Sequence, residues 1–362
     1  MVDGLKQINL SVVELAELCR TGDIHYRFSS RSSAQEGIAA HRLVQENRPD
    51  SYKAEHSVSH EIVYGHYRIK VCGRMDGYME TNSGFCVDEI KSIRMPPEDI
   101  PECVLEHFWR QAGFYALLLG IEEDLSNIRV RLCLYHLDEE KEYRIERTHL
   151  ITELRFSFIQ AIAKIVDRFE RRDDWRRIRS SANSNLGFPY KNFRPGQRDM
   201  AVSVFRQLKS GGQVVIQAPT GIGKTIGMIF PAVHALESSE SERVFYLSAR
   251  SSTQQIAESA AEDLVKTGGR LRTLTLTAKA KICFNKTLPC DPEHCQFARG
   301  YYDRVRVAID DMLAQQDQFD RKSIERFAQK YEVCPFELGL DLSLEMDLII
   351  CDYNYVFDPT IY

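Results

Sequence analysis

The 362-residue sequence has no apolar run of bilayer-spanning length and no basic-then-apolar leader at its start. The cytoplasm is therefore the expected compartment, and no membrane partner is expected. The chain also lacks an excess of positive charge. Its formal net charge is −5, so any nucleic-acid partner has to be held by local patches. It has no internal repeat and no low-complexity tract, which argues against a solenoid or a disordered tail. Ten cysteines are present, but no C-x2-C pair, so the paired knuckles of structural zinc are missing. In a reducing compartment, clustered cysteines read as metal ligands and scattered ones as packed thiols. What remains is globular: 43% hydrophobic and 27% charged, with a length that suggests two or three domains.

The pattern along the chain divides into zones. Residues 1–150 open with helical spacing in "LSVVELAELCR", then alternate around 53–92, turn helical at 102–119 and alternate again near 128–148. Residues 151–185 read as a long helical connector whose end, "RFERRDDWRRIRS", predicts a solvated charged face, with "SSANSN" as a linker. From 186 onward strands, Gly-rich turns and helices alternate, as in parallel α/β proteins.

The stretch "VCGRMDGYMETNSGFCVDEIKS" predicts a hairpin turning at Thr81-Asn82-Ser83-Gly84, with 85–91 pairing back on 69–76. Residues two apart on a strand share a face, so Glu89 and Lys91 point one way while Asp88 and Ile90 point the other. Asp76 and Glu89 then come close enough to share a hard cation such as Mg²⁺ or Mn²⁺. By itself an Asp followed by E-x-K fits a charged hairpin as well. Upstream, "EGIAAHRLVQE" puts His41 on a helix. Downstream, "EHFWRQAGFYALLLG" puts Gln111 and Tyr115 on one helical face. Gly37/His41, Gly73/Asp76, Glu89/Lys91 and Gln111/Tyr115 occur in order within a short span, and together they resemble the RecB-like branch of the PD-(D/E)XK nucleases. The resemblance implies that His41, Asp76 and Glu89 ligate the metal and that Lys91 is catalytic. It also implies that Gln111 and Tyr115 organise the site and face DNA. Cys19, Cys72, Cys86, Cys103 and Cys133 are scattered and read as packed thiols.

"VVIQAPTGIGKTIGMIF" is the strongest local signal. A strand over Val214–Gln217, a loop over Ala218, Pro219, Thr220, Gly221, Ile222, Gly223, Lys224 and Thr225, and an apolar helix make the context of a phosphate loop. Gly221 and Gly223 allow backbone N–H groups to turn towards phosphates, Lys224 reaches the β/γ-phosphates of ATP, and Thr225 ligates Mg²⁺. Pro231 is expected to bend the helix. Ahead of it, "FPYKNFRPGQRDMA" carries Arg194 and Gln197 and resembles the adenine-reading Q motif of helicases. Behind it, "RVFYLSARSSTQQ" predicts a strand at Val244–Leu247, a cap at Ser252 or Thr253, and a helix N-terminus that, with Arg250, suits a DNA phosphate.

Cys283, Cys290, Cys295 and Cys334 are spaced C-x6-C-x4-C and then 38 residues on. Spacing alone leaves a [4Fe–4S] cluster, zinc and free thiols open. Their place between the early motor motifs and "LEMDLIICDYNYVFDP" resembles the DinG/XPD-like superfamily 2 helicases, in which an iron–sulfur domain grows from the first motor domain. "DLIICD" is not read as a Walker B strand, because Tyr353 follows Asp352 where a glutamate is required.

The expected fold class is α/β. A PD-(D/E)XK nuclease domain, a mixed sheet flanked by helices, spans 1–150. A RecA-like P-loop parallel α/β motor spans 186–271, with a helical iron–sulfur insertion over 272–345 and a return to the motor over 346–362. The expected function is a metal-dependent DNA nuclease joined to an ATP-dependent 5′→3′ helicase in DNA repair, acting on single strands and single/double-strand junctions. Expected cofactors are ATP, Mg²⁺ or Mn²⁺, and the cluster. With neither the D-E-A-H box nor a second motor domain in the 362 residues, the chain is expected to bind ATP and DNA without unwinding alone. An inactive nuclease-like module, a zinc-stabilised P-loop ATPase and an RNA substrate remain open alternatives.

Overall fold

The computed structural model describes residues 4–25, 33–82, 84–237, 241–287 and 289–357. Ser83 of the hairpin turn and the Asp358-Pro359 pair lie outside them. The chain divides into two compact units. The first is Met1–Glu170 with Pro289–His294 and Ala298–Tyr302; the second is Arg171–Leu288 with Cys295–Phe297 and Asp303–Tyr362.

The first unit is built on a six-stranded mixed sheet. Strand β1 (Lys6–Ser11) leads into α1 (Val12–Glu17), and α2 (Ala34–Glu46) follows. Ser33 and Glu36 form a reciprocal capping box that fixes where α2 begins. Strands β2 (Lys53–Tyr64), β3 (Tyr67–Thr81) and β4 (Gly84–Ile93), helix α3 (Glu102–Glu122), and strands β5 (Asn127–His136) and β6 (Lys141–Leu150) complete it. The order is β1-β3-β4-β5-β6, with β2 also on β3. β1/β3 and β4/β5 are parallel, and the other pairs are antiparallel. The predicted hairpin forms with a shifted register: β4 pairs with 77–81 from Thr81↔Gly84 to Gly77↔Asp88, where 69–76 was expected. Beyond Gly77 the two strands part, because β4 continues along β5 from Cys86 to Ile93. On the same edge of β3, pairing with β1 ends at Cys72. Residues 73–76 therefore lie in a gap between β1 and β4.

Leu15 of α1, Phe114 and Leu117 to Leu119 of α3, and Phe158 and Ile162 of α4 (Ile151–Asn183) pack in one core with Ile69, Val71, Met75 and Val87. Ala40 and Val44 of α2 pack with Ile90 and Cys133 in a second cluster. The alternation along β4 is as expected, with Val87 in the first core and Ile90 in the second. Asp88, fully buried, is held by Arg48 (3.0 Å) and by two bonds from Arg131 (2.8 Å each).

The long helix α4 forms as the spacing predicts, and its charged end is solvated at Asp174 and Arg177 as expected but not all round. Within the second unit Trp175 donates to Asp347 Oδ2 at 2.9 Å and Arg179 to Asp347 Oδ1 at 2.5 Å. Asn183, expected in a linker, is buried and exchanges two hydrogen bonds with the Arg270 backbone. An indole, an arginine and an amide, each buried and hydrogen-bonded, give this charged stretch one dry side.

The second unit continues with α5 (Gln197–Ser210), α6 (Lys224–Leu236), β7 (Val244–Leu247), α7 (Ser251–Lys266), β8 (Thr273–Thr275), α8 (Lys279–Ile282), α9 (Tyr301–Gln315), β9 (Gln318–Phe319), α10 (Arg321–Tyr331), α11 (Pro335–Ser343), β10 (Leu348–Cys351) and α12 (Asn354–Phe357). The strands form a parallel sheet in the order β7-β10-β8-β9. Two of its strands, β8 and β9, come from the segment expected as an insertion. The expected strand at Val214–Gln217 is absent. No described strand pairs with it, and Val215 is 98% exposed. Strand-forming residues make no strand without a partner to ladder with.

Candidate metal and phosphate sites

In the first unit, four elements converge at the gap beside β3. His41 comes from α2, Asp76 from β3, Glu89 and Lys91 from β4, and Gln111 and Tyr115 from α3. His41 Nδ1 lies 3.1 Å from Asp76 Oδ1, and the Ile90 N–H donates to Asp76 Oδ2 at 2.6 Å. Lys91 Nζ lies 2.7 Å from Glu89 Oε1 and donates to Gln111 Oε1 at 3.2 Å. Tyr115 lies against Gly73: a Cβ on that glycine would stand 2.9 Å from the tyrosine ring, so this close approach requires glycine. The G-x-x-D and Q-x-x-x-Y patterns thus meet in space. Gln45, which sequence reading missed, donates to the Asp76 carbonyl at 2.9 Å. Its place one turn beyond His41 on α2 is the signal that could have found it.

The electrostatics are those of charges gathered in a dry place. Burial, and then Asp76 against the pull of Lys91, raises the Glu89 carboxyl to about 7. Burial works against the charged Lys91, but Glu89 outweighs it and the ammonium is held above its usual range. Burial likewise opposes charge on His41, and the Asp76 carboxylate reverses the balance upward. Glu89 is 1% exposed, and its Oε2 has no hydrogen-bond partner. That oxygen is a buried acceptor awaiting a ligand, which fits a cation better than a structural ion pair. The donors are two carboxylates and an imidazole, a set suited to Mg²⁺ or Mn²⁺. His41 and Asp76 are adjacent, whereas Glu89 is turned to Lys91, and the three do not form a group within 4.8 Å.

In the second unit the phosphate loop has its helix and its turns. Gly221 and Gly223 have φ of +86° and +81°, and Gly223 caps α6. The exposed Lys224 donates to the carbonyls of Ala218 (3.1 Å) and Pro219 (3.0 Å). Thr225 Oγ1 is 3.4 Å from the Tyr246 hydroxyl. Pro231 lies inside α6, which runs to Leu236. Arg194 donates to the Gly221 carbonyl, and Gln197 to the Gly223 carbonyl at 3.1 Å. The two expected base-reading residues are thereby bound to the loop, and with Thr225 they line a cavity of about 340 Å³. Residues 218–223, Ile222 included, form no helix or strand, and Lys224 and Thr225 begin α6.

Helix α7 begins earlier than expected. Arg250 itself is the cap residue, extended at φ −117°, and Ser252 and Thr253 are already helical. The N–H of Arg250 is 3.4 Å from Ser248 Oγ, so the turn is braced from before the helix. Its first residue, Ser251, lines a second cavity of about 710 Å³ with Lys279, Arg321 and Lys322. Asp352 caps a local turn, accepting from the Asn354 N–H at 3.0 Å. None of the four cysteines of the second motif is in a disulfide. Cys283 follows α8, Cys290 and Cys295 lie in loops, and Cys334 caps α11, with Cys295 and Cys334 buried. Cys290 falls in the first unit and the other three in the second. Four cysteine thiols are a donor set of the kind that an iron–sulfur cluster takes.

The DEAD/DEAH box helicase family model matches residues 198–304, and the DEAD_2 model matches residues 270–362. Among known proteins, the probable ATP-dependent helicase MJ0942 of Methanocaldococcus jannaschii is 31% identical over 110 residues, 30% of this chain and 16% of that protein. The general transcription and DNA repair factor IIH helicase subunit XPD/RAD3 of Saccharomyces cerevisiae is 20% identical over 211 residues, 48% of this chain and 27% of that subunit. The chain thus spans no more than 27% of the length of these relatives. Among solved structures, an XPD helicase aligns over 48% of this chain and 30% of its own, with 16% identity and a TM-score of 0.32. The structure of SSO0001 aligns over 34% and 55%, with 19% identity and a TM-score of 0.24. Residues 198–304 thus match DEAD/DEAH box helicases and residues 270–362 the DEAD_2 model, and this part of the chain is similar to ATP-dependent helicases, the XPD/RAD3 subunit among them.

Proposed function

We propose that the chain joins a metal-dependent DNA nuclease site, in its first unit, to the ATP-binding part of a DNA-repair helicase of the iron–sulfur, 5′→3′ kind. The observation that carries the nuclease half is the buried, unpartnered Glu89 Oε2 beside a lysine, in a sheet gap that also holds Asp76 and His41. A bound Mg²⁺ or Mn²⁺ would lower the pKa of water and stabilise charge on a scissile phosphate. The chain's own residues do the rest. Asp76, His41 and Glu89 would hold the ion. Lys91, steadied by Gln111, presents positive charge to the phosphate, and Tyr115 keeps the α3 wall against β3.

In the motor half, Lys224 exchanges its loop carbonyls for the β/γ-phosphates, Thr225 offers its hydroxyl to Mg²⁺, and Gln197 and Arg194 hold the loop beneath the base. Cys283, Cys290, Cys295 and Cys334 would hold a [4Fe–4S] cluster whose part is structural. The helix start at Arg250 would receive a phosphate of the single strand. Supporting this half are the two matched helicase models and the loop geometry.

End-labelled single-stranded DNA incubated with the chain and Mn²⁺ tests the nuclease. Cleavage should fall at least about a hundredfold in Glu89→Ala and Lys91→Ala, the size expected when charge stabilisation is removed from a reacting site. Absence of cleavage by the unmutated chain, with DNA still bound, would favour a second reading, a DNA-binding module. The ion pair of Glu89 with Lys91 is the observation behind that reading.

A further inference from the structure

In the first unit, residues 22–25 form no helix or strand, yet they are pinned at each step. Gly22 has φ +79°, and a Cβ there would stand 2.8 Å from the Cys103 Cβ, so glycine lets the segment lie against the first turn of α3. The Gly22 carbonyl accepts from the Tyr302 N–H at 2.9 Å, and the Ile24 N–H donates to the Ala298 carbonyl at 2.9 Å. Asp23 Oδ1 accepts from the Gly300 N–H at 2.5 Å. This bracing brings one ligand atom each from Asp23, His25 and Cys103 within 4.8 Å of one another. His25 Nε2 is 3.7 Å from Asp23 Oδ2 and is buried without a hydrogen-bond partner. A buried ring nitrogen without a partner, beside a thiol and a carboxylate, is a costly arrangement unless something binds there.

We propose that Asp23, His25 and Cys103 bind a zinc ion. Thiolate, imidazole and carboxylate together select a borderline ion, not the hard Mg²⁺ or Mn²⁺ expected at Asp76 and Glu89. Three protein ligands leave the fourth tetrahedral position to water. The ion would fasten residues 22–25 to the start of α3, the helix that carries Gln111 and Tyr115.

The test is Co²⁺ and Zn²⁺ titration of the full chain after metal removal, with circular dichroism confirming the fold of each variant. Because the four motor cysteines can also take these ions, the readout is the difference between the unmutated chain and Cys103→Ala, His25→Gln and the double variant. Each should bind about one zinc equivalent fewer, and the double variant should lose no more than either single. Cys103→Asp, which keeps an anionic ligand, should retain Co²⁺ yet lose part of the thiolate-to-cobalt charge-transfer band. Equal zinc content in the unmutated chain and Cys103→Ala, or an undiminished band in Cys103→Asp, overturns the proposal.

Discussion

Lys91 and Lys224 serve the two candidate chemistries and are built in opposite ways. Lys91 is largely enclosed, fixed between Glu89 and Gln111 on different elements, and its position depends on strand register and on the docking of α3. Lys224 is exposed and, among the described residues, bonded to carbonyls five and six residues before it. The first site is assembled by tertiary packing and holds its charges against desolvation. The second is a local turn that keeps its lysine free to leave. A site made of distant pieces should be fragile to packing changes, and a site made of neighbours should not.

The sharpest way to break that contrast is steric. Gly73→Ala adds one methyl group against Tyr115 and should lower Mn²⁺-dependent cleavage by about a hundredfold while leaving nucleotide binding intact. Unchanged cleavage would mean that the α3 wall has no part in the site. Next, Asp347→Asn removes the charge that Arg179 and Trp175 share and should destabilise the second unit by about 3–5 kcal/mol in chemical denaturation. If the first unit's transition moved equally, the independence of the two sites would be lost.

Smaller still, Lys224→Ala should weaken ATP binding by about tenfold or more, as loss of one charge-assisted contact does, with the melting temperature unchanged. A melting temperature that falls with it would show that the loop lysine is structural. The smallest effect is in pH. Because the folded Glu89 pKa is raised, the apo protein loses stability as pH rises through about 7, while cation binding requires the carboxylate. Mn²⁺ should therefore raise the melting temperature by a few degrees at about pH 8 and hardly at about pH 5.5. The same shift at both, or one that survives in Glu89→Gln, would remove Glu89 from the metal's ligands.

Much of this was legible because it is periodic or contiguous. Alternation at 53–92 gave the strands, the spacing at 151–180 gave the long helix, and Gly223-Lys224-Thr225 gave the loop. Other features depend on partners that no local pattern encodes. The hairpin register followed β5, which takes β4 away after Asp88 and opens the gap beside Gly73 and Asp76. The charged end of α4 buried Trp175 and Arg179 because Asp347, more than 160 residues away, receives them. Val214–Gln217 has strand residues but no neighbouring strand among the described residues. Cys103, read as a packed thiol, acquired company from Asp23 and His25 only through the bend at Gly22.

The unpaired run at Val214–Gln217 has a consequence for how the chain behaves in solution. With Val214 at 45% and Val215 at 98% exposed and no ladder formed, it offers exposed β-branched residues on which another strand could add. A net charge of −5 spread over 362 residues gives little repulsion against that addition. Self-association should thus start from the segment just before the phosphate loop, and a saturating nucleotide, by drawing that loop closed, would work as a solubiliser as well as a ligand.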